Sequence, residues 1–495
     1  MKNYHNYIPL IGAKVDPVQF GVYPYSIHSV DGGTVYMARE EDQDVLVAVG
    51  GDFGLTGIEY ETEGNLYTVA PLTHANAEII RKLFPFTAPI RILNKDRTVG
   101  VGDRLGIAGP GHIRVFQEYD VYPVFAQQSI RELNLTQRTY KDVLDSTTFS
   151  VFREGYTKGF GADGDHLKKP EEVKMALDLG FTMITLDCSE HMHNEAERMK
   201  LTDVKAAHPL SQELRDRYLG KKFDIGEGIV LEFDEESLIR MAAVYSDVIS
   251  FAHSIYDTYF RPGVYQADFE ISIDETTTPT TPLQHFFVAN ELSLRTITFA
   301  TLAPRFCGEF QKGVDYIGDI AQFESELAVH AAIARHFGYK LSLHSGSDKF
   351  SVFSIFGKLT KGRFHVKTAG TNWLEAMKAV AMTDPVLYRS IHAFALEKFS
   401  EVTKYYHVST NIANIPDIST LTDQQLVSLF EHNDARQLIH ITYGPILSTK
   451  DEKGNYLFKD RLYALWRKHE QLYADLLYKH IGKHITQLCK HCKRP

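Results

Sequence analysis

Long hydrophobic runs and clustered basic residues are both missing from this chain. No uninterrupted apolar run approaches the ~20 residues needed to span a bilayer, and no basic segment followed by a long apolar stretch occurs near the start. The net charge of -10, with scattered lysine and arginine, gives no electrostatic footprint for nucleic acid or an anionic membrane. We therefore expect small-molecule chemistry, with no nucleic acid and no membrane as partner.

Cysteine is also scarce, with 4 residues in a chain of 495. That is too few for a disulfide framework at this length. Cys489 and Cys492 form a lone CxxC without a second pair to complete a four-ligand zinc site, so we interpret it as part of a basic terminus. We expect a reducing, cytoplasmic location, and the sequence leaves open whether the protein is a homo-oligomer.

A strand-like unit that ends in polar residues recurs from about residue 90 onward. Helix-compatible stretches separate most of these units. The runs cover residues 98–106, 123–129, 158–166, 181–189, 267–275, 296–306, 340–348 and 363–370. Eight repeats of strand and helix, with polar residues at the strand ends, predict an α/β protein with a (β/α)8 barrel of the TIM type, and a doubly wound open sheet is the alternative.

The flanks of this region have other patterns. Residues 1–90 contain short strands followed by a helical stretch and predict a small N-terminal α/β domain. We assign residues 91–445 to the catalytic barrel. Residues 446–495 carry apolar residues at helical spacing and predict C-terminal helices that pack on the barrel.

Residue parity indicates which side chains face the barrel interior. In the fifth run the alternate apolar residues point outward, which leaves Glu270 and Asp274 facing inward. The same sorting turns His344 inward in the seventh run, and His365 and Lys367 in the eighth. A buried carboxylate costs several kcal/mol unless a cation lies beside it, so Glu270 marks a functional site.

Asp165 and His166 arrive together at the end of the third run, after a glycine-rich stretch. A carboxylate next to a metal-seeking imidazole lets one residue move protons while the other fixes an electrophilic cation. With Glu309 and His344 from the loops after the sixth and seventh runs, His166 forms a set that predicts one divalent cation. Three residues are rival ligands for the place of Glu309: His365, Asp274 and Asp315.

Two further segments, HSGSDKF and VKTAGT, are similar to anion-holding turns. Small residues there expose backbone N–H groups, and Lys349 or Lys367 supplies positive charge. A substrate carboxylate or a phosphate would suit either turn. The predicted substrate-binding residues are Ser345, Ser347, Asp348, Lys349, Lys367 and Gln128.

Eight motifs in this order carry a resemblance to a known family: GDRLGI, FAQQSIRE, GFGADGDH, FEISIDETTTPT, RFCGEFQKGVDY, LHSGSDKFSV, FHVKTAGT and RQLIHITYG. Together, over about residues 95 to 445, they resemble the tagaturonate/fructuronate epimerases. The resemblance implies interconversion of D-tagaturonate and D-fructuronate with a divalent cation such as Zn, Mn, Ni or Co, in bacterial hexuronate breakdown. Related proteins can also act on the neutral ketoses tagatose and fructose.

A more distant resemblance is to the metal-dependent class II aldolases, which also place an Asp–His pair after one barrel strand. Carried across by motif, His166, Glu309 and His344 would hold the metal, and Asp165 and Glu270 would handle protons. The chain departs from the aldolases at the sixth strand, where they use His and this chain has Glu309. The third ligand is therefore the weakest part of this assignment.

The implied reaction has two candidate mechanisms, because the epimerised carbon lies one bond beyond the acidic α position. In the first, Asp165 deprotonates the hydroxyl on that carbon, the adjacent C–C bond breaks, and the aldehyde fragment rotates and recombines, with Glu270 as the partner acid. In the second, two opposed carboxylates exchange the C–H proton directly. The competing functions are an epimerase of neutral ketoses, a class II-type aldolase and a non-catalytic sugar-binding protein.

Overall fold

The N-terminal part of the chain forms an antiparallel sheet of five strands. The computed structural model describes residues 3–62, 64–404 and 406–490, so that Cys492 of the CxxC lies outside the described residues. The strands are β1 (His28–Val30), β2 (Gly33–Arg39), β3 (Asp44–Val49), β4 (Ile58–Thr62) and β5 (Asn65–Pro71), in the order β1-β2-β3-β5-β4. Helix α1 (His74–Leu83) follows and packs with one face of the sheet against Phe149 and Phe152.

A closed barrel of eight parallel strands forms the centre of the molecule. The remaining strands are β6 (Arg97–Val101), β7 (Tyr122–Ser129), β8 (Gly161–Leu167), β9 (Met183–Asp187), β10 (Lys222–Asp224), β11 (Val230–Glu232), β12 (Asp268–Ile273), β13 (Thr301–Pro304), β14 (Lys340–Leu343) and β15 (Phe364–Thr368). β10 and β11 pair only with each other, and the other eight close in chain order, with β15 beside β6. Each of the eight predicted runs overlaps one barrel strand to within one residue at its ends or contains it, so the predicted (β/α)8 barrel is confirmed.

The helices alternate with the strands in the barrel and then continue alone. In chain order after α1 they are α2 (Gly109–Glu118), α3 (Ile130–Thr136), α4 (Tyr140–Glu154), α5 (Pro170–Asp178), α6 (Leu201–Ala207), α7 (Gln212–Tyr218), α8 (Glu235–Ile255), α9 (Pro282–Leu294), α10 (Ile320–Phe337), α11 (Phe350–Leu359), α12 (Thr371–Thr383), α13 (Pro385–Val402), α14 (Asn433–Ile441), α15 (Tyr443–Ser448), α16 (Lys459–Lys468) and α17 (Glu470–Leu488). Several begin at side-chain caps. In α4, Thr139 and Asp142 cap each other reciprocally, which satisfies two backbone N–H groups that the first turn leaves free.

The barrel strands are buried on both faces. All six residues of β12 are buried, as are all five of β9 and of β15. Such strands read as continuous apolar runs, so a charged residue within one must lie inside the barrel among partners that offset its desolvation. Glu270 in β12 and Lys367 in β15 are two such residues.

The C-terminal helices share their core with the barrel. Ile481, Ile485 and Leu488 of α17 belong to the same apolar cluster as the barrel strands, and Trp466 of α16 packs edge-on against Trp373 of α12 with ring centroids 6.1 Å apart. The predicted boundaries at residues 90 and 445 stay predictions. Within the described ranges, no helix is both long enough and apolar enough to cross a membrane.

Candidate active site

A polar cavity of about 870 Å³ opens at the carboxyl end of the barrel. Its walls come from residues at or just after the ends of β7, β8, β9, β12, β13, β14 and β15. The loops at this end of a (β/α)8 barrel carry the active site in characterised barrel enzymes, because side chains from several strands converge there. Asp165, His166, His344, Ser345 and Lys367 line the cavity.

Three of the lining residues, His166, Asp274 and His344, form a compact group that we call the cavity cluster. One ligand atom from each lies within 4.8 Å of the other two. The two imidazole rings meet edge to face, with centroids 4.9 Å apart. His166 Nε2 lies 3.9 Å from Asp274 Oδ1, and His344 Nδ1 lies 3.3 Å from Asp274 Oδ2. Both histidines thus face the same carboxylate.

Irregular backbone turns His166 toward the cavity. Its φ is 55°, in the left-handed region that few non-glycine residues adopt, and the pairing of β8 with β9 shifts between Gly164 and Leu167. Ser345, directly after His344, has a φ of 49°. Such backbone is unfavourable by about 1–3 kcal/mol per residue and persists where the surroundings enforce it, commonly at functional sites.

Each histidine of the cavity cluster uses one ring nitrogen on a carboxylate behind it. His166 Nδ1 is 2.8 Å from Asp165 Oδ1, and His344 Nε2 is 2.8 Å from Glu270 Oε1. When the imidazoles are neutral, these contacts hold the ring proton on the bonded nitrogen, and the nitrogen that faces Asp274 then carries a lone pair. His344 Nδ1 is buried and has no hydrogen-bond partner among the described residues. Carboxylates fix metal-ligating histidines in this way.

Lys367 lies at the bottom of the cavity among three carboxylates. Its Nζ is 2.7 Å from Asp163 Oδ2, 2.8 Å from Asp165 Oδ1 and 2.8 Å from Glu270 Oε1. Burial lowers the pKa of Lys367, but the charges of these carboxylates outweigh burial and raise that pKa well above its ordinary value. Lys367 is therefore an ammonium ion that allows several carboxylates to stay ionised side by side.

Two predicted residues, Glu270 and Gln128, are enclosed beneath the cavity and do not line it. Both are fully buried. Burial raises the pKa of Glu270, but the charges of Lys367 and His344 outweigh it and hold the pKa well below its ordinary value. Gln127 lines the cavity in place of Gln128, because the pairing of β7 with β8 shifts between Val124 and Ala126 and reverses the parity beyond it.

Glu309, the predicted third ligand, lines the cavity but does not join the cavity cluster. It contacts Arg305 at 3.5 Å and His407 at 3.6 Å instead. Among its three rivals, Asp274 occupies the place beside both histidines. His365 is fully buried and bonds Thr98 Oγ1 at 2.9 Å. The fourth candidate, Asp315, caps Ser351 at the start of α11.

The remaining predicted substrate-binding residues lie in the turn after β14, and only two of the four line the cavity. Ser345 and Ser347 line the cavity, whereas Asp348 and Lys349 turn away from it. Lys349 Nζ donates to three backbone oxygens, on Gln311, Val314 and Ser347, at 2.9, 2.6 and 2.8 Å. Burial lowers the pKa of Lys349 to about 7. Lys349 thus connects two loops through hydrogen bonds. Its ammonium group does not contribute positive charge to the cavity.

Asp348 belongs to a second group with His480 and His484 of α17, which we call the helix cluster. His480 Nε2 lies 2.6 Å from Asp348 Oδ1, and Arg436 Nη2 lies 2.7 Å from Asp348 Oδ2. The backbone N–H of Asp348 donates to His484 Nε2 at 2.9 Å, and His484 Nδ1 bonds the His480 carbonyl oxygen at 2.8 Å. Both nitrogens of His484 are therefore occupied, which leaves it no lone pair for a cation.

Sequence reasoning missed several site residues. Asp163 precedes Asp165 by two positions in β8, so strand parity could have placed it beside Lys367. Thr185 Oγ1 bridges Asp163 and Glu270, at 3.0 Å and 3.1 Å. No signal in the sequence marks Thr185, because threonine is common in buried strands.

The closed barrel and the charged cavity at the carboxyl ends of its strands define this protein as a (β/α)8-barrel enzyme. A family model described as tagaturonate epimerase matches residues 23–488. The chain therefore belongs to the tagaturonate epimerase family, and it is an isomerase.

Individual relatives agree with this assignment. Tagaturonate/fructuronate epimerase of Thermotoga maritima is 44% identical over 480 residues, which cover 95% of this chain and 97% of that protein. The native crystal structure of fructuronate-tagaturonate epimerase UxaE from Cohnella laeviribosi is 49% identical, with a TM-score of 0.93 and 99% of both chains covered. The same enzyme with one glycerol has the same identity and TM-score, over 98% of this chain and 99% of that one.

Proposed function

We propose that this protein interconverts D-tagaturonate and D-fructuronate with the help of one divalent cation held by His166, Asp274 and His344. The relatives described above support the reaction. The observation that carries the cation is the arrangement of the two histidines, each with one nitrogen on a buried carboxylate and the other facing Asp274. A ketose acid carries carbonyl and hydroxyl oxygens, which a divalent cation at such a site can bind.

The donor set fits a divalent transition metal. Two neutral imidazole nitrogens and one carboxylate are ligands that zinc, manganese, nickel and cobalt accept, and a three-ligand site leaves positions open for substrate oxygens. When bound, the cation supplies Lewis acidity, which polarises a substrate carbonyl. Asp274 replaces Glu309 in this proposal because it alone of the two contacts both histidines.

Asp165 is the residue that we assign to proton transfer at the substrate hydroxyl. Its carboxylate bonds His166 and Lys367, and both bonds use Oδ1. No described residue bonds Oδ2, and Asp165 lines the cavity, so Oδ2 is available to a substrate. Burial raises the pKa of Asp165, but the charges of Lys367 and His166 outweigh it and lower that pKa. Asp165 is thus ionised, as a proton acceptor must be.

Glu270 receives a positioning role in this proposal. It bonds His344, Thr185 and Lys367 and does not reach the cavity surface. A buried carboxylate behind a ligating histidine fixes the tautomer and the ring orientation. Glu270 therefore orients His344, as Asp165 Oδ1 orients His166.

Cleavage and recombination of the C–C bond accounts for epimerisation at a carbon that the ketone does not activate. Asp165 would take the proton of the hydroxyl on that carbon, and the same proton returns when the bond reforms on the other face of the aldehyde. Turnover in heavy water separates this route from direct exchange. We expect no deuterium at the epimerised carbon, and deuterium there would contradict bond cleavage.

One experiment tests the reaction itself. The metal-loaded protein is incubated separately with tagaturonate and with tagatose, and products are followed by NMR. We expect fructuronate from tagaturonate. Accumulation of three-carbon fragments would identify an aldolase instead, and conversion of tagatose alone would identify an epimerase of neutral ketoses.

A further inference from the structure

Three of the six lysine and arginine residues that line the cavity, Lys168, Arg305 and Lys367, are neutralised by carboxylates. Lys367 contacts three carboxylates, as described above. Lys168 Nζ lies 3.6 Å from Asp187, 3.7 Å from Glu190 and 3.8 Å from Glu275. Arg305 pairs with Glu309 at 3.5 Å. These side chains have little unbalanced charge to offer an anionic substrate.

The other three are Lys169, Arg131 and Lys312, of which Arg131 and Lys312 each contact another residue that lines the cavity. Both line the cavity, and neither forms an ion pair with a carboxylate in the described part of the chain. The carboxylate of Glu132, next to Arg131, is bound by Arg104 at 2.8 Å and is thereby neutralised. Arg131 instead lies over the ring of Tyr406, 5.3 Å from its centroid.

The charge of Arg131 affects the ionisation of Lys312. Burial lowers the pKa of Lys312, and the positive charge of Arg131 lowers it further. Burial lowers the pKa of Arg131, but the interactions with Tyr406, Glu275 and Glu132 outweigh it and raise that pKa, so Arg131 keeps its positive charge. An anion placed near both side chains is attracted by each positive charge. The guanidinium of Arg131 offers a planar fork for a carboxylate, and Lys312 adds a point charge.

Their position relates them to the cavity cluster. Lys312 Nζ donates to Ser345 Oγ at 3.0 Å, and Ser345 directly follows His344. Arg131 follows β7, whose last residue, Ser129, pairs in register with Asp165 of β8. The two cations therefore lie on the cavity wall, near the strand ends that carry the cavity cluster.

We propose that Arg131 and Lys312 bind the carboxylate of the uronate substrate and so distinguish it from a neutral ketose. This inference rests on the proposed function and replaces Lys349 and Lys367 as the source of positive charge for that group. A site with an unpaired charge strongly prefers the ligand that carries the matching charge, because the neutral analogue leaves the charge unpaired.

The test uses Arg131→Met and Lys312→Met with two probes, gluconate and the neutral hexitol sorbitol. Binding to the metal-loaded protein is measured by calorimetry, so that the result does not depend on turnover. We expect each substitution to weaken gluconate binding about 10- to 100-fold, as loss of a charge-assisted hydrogen bond does, and to leave sorbitol binding unchanged. Arg131→Lys, which keeps the charge and loses the fork, should give a smaller loss.

Lys169→Met is the matched control, because Lys169 is an exposed lysine that lines the same cavity. Gluconate binding equal to wild type in both Met variants, or an equal loss in Lys169→Met, would overturn the subsite. In parallel, the KM for fructuronate should rise in both Met variants more than kcat falls. A wild-type protein that binds gluconate but converts no uronate would instead refute the proposed function.

Discussion

The cavity cluster and the helix cluster contain the same residue types, two histidines and one aspartate, yet their surroundings differ. In the cavity cluster each histidine bonds a carboxylate with one nitrogen and turns the other toward Asp274 in an open cavity. In the helix cluster the aspartate is bound by an arginine, and His484 has both nitrogens occupied by backbone groups. Residue composition is therefore the same in the two clusters, and the difference is whether a histidine nitrogen faces open space, where a neutral imidazole could bind a cation.

The helix cluster nevertheless serves the cavity. Asp348 and Ser345 belong to the same turn after β14, and His480 also faces Glu375 of α12 at 3.3 Å. The cluster thus joins α12, α14 and α17 to the turn that positions Ser345 at the cavity wall. The cavity cluster is the proposed cation site, and the helix cluster supports the turn beside it.

The largest expected effect comes from Asp274→Asn. If Asp274 is a cation ligand, the purified variant should contain far less metal. Its kcat/KM should fall by about 10³-fold, which corresponds to the loss of several kcal/mol of transition-state stabilisation by the Lewis acid. Metal analysis and uronate turnover measure both quantities. If the Asp274→Asn variant kept full metal content and full rate, the cavity cluster would not be a cation site and would differ from the helix cluster in position only.

Glu270→Gln should have a smaller effect, exerted through His344. Loss of a carboxylate behind a metal-ligating histidine weakens metal binding about 10- to 100-fold, so excess metal should restore most of the activity. Asp163→Asn is the control, because Asp163 contacts Lys367 but neither histidine of the cavity cluster. A Glu270→Gln protein that stays inactive at saturating metal would favour the acid role first predicted for Glu270.

His480→Gln should lower stability and leave the metal content unchanged. Burial lowers the pKa of His480, but the charge of Asp348 outweighs it and raises that pKa above its ordinary value of 6.5. The raised pKa means that the stabilisation is fully present below pH 6.5 and is lost as the pH rises through the folded-state pKa. We expect the variant to lose about 1–3 kcal/mol at low pH.

The measurement is the melting temperature of the metal-loaded wild type and variant from pH 6 to 9. The gap between the two curves should narrow as the pH rises. A gap that widens, or a loss of bound metal in His480→Gln, would contradict the supporting role of the helix cluster.

Glu309→Gln should have the smallest effect of the four. Glu309 is partly exposed and its contacts are with Arg305 and His407, so metal content should equal that of wild type and kcat/KM should stay within about twofold, as for surface ion pairs. A metal loss as large as that of Asp274→Asn would restore Glu309 as the third ligand.

Much of the fold could be predicted because it rests on local periodicity. Each barrel strand is a short apolar run that ends in polar residues, and that pattern is visible whatever the rest of the chain does. The pair Asp165 and His166, together with His344, could be placed at one end of the barrel for the same reason. Parallel strands bring their carboxyl ends to one edge.

Loop residues could not be placed in this way, because periodicity says nothing about the path of a loop. Glu309 and Asp274 are both acidic residues after a barrel strand, and only the backbone path puts Asp274 between the histidines. A one-residue irregularity in β7 turns Gln127 toward the cavity and leaves Gln128, the predicted residue, facing away from it. Asp348 and Lys349 fit the pattern of substrate ligands in the sequence. In the structure, C-terminal helices supply the partners of Asp348, and backbone oxygens of nearby loops bind Lys349.

The sequence by itself determined the eight strands, the end of the barrel that carries chemistry and the identity of its two histidines, since each depends on neighbours within a few residues. The tertiary structure alone decided which carboxylate faces both histidines, which lysine stays unpaired and which cluster has an open cavity. Those outcomes depend on contacts between residues far apart in the chain, where desolvation and charge pairing fix the role of each ionisable group.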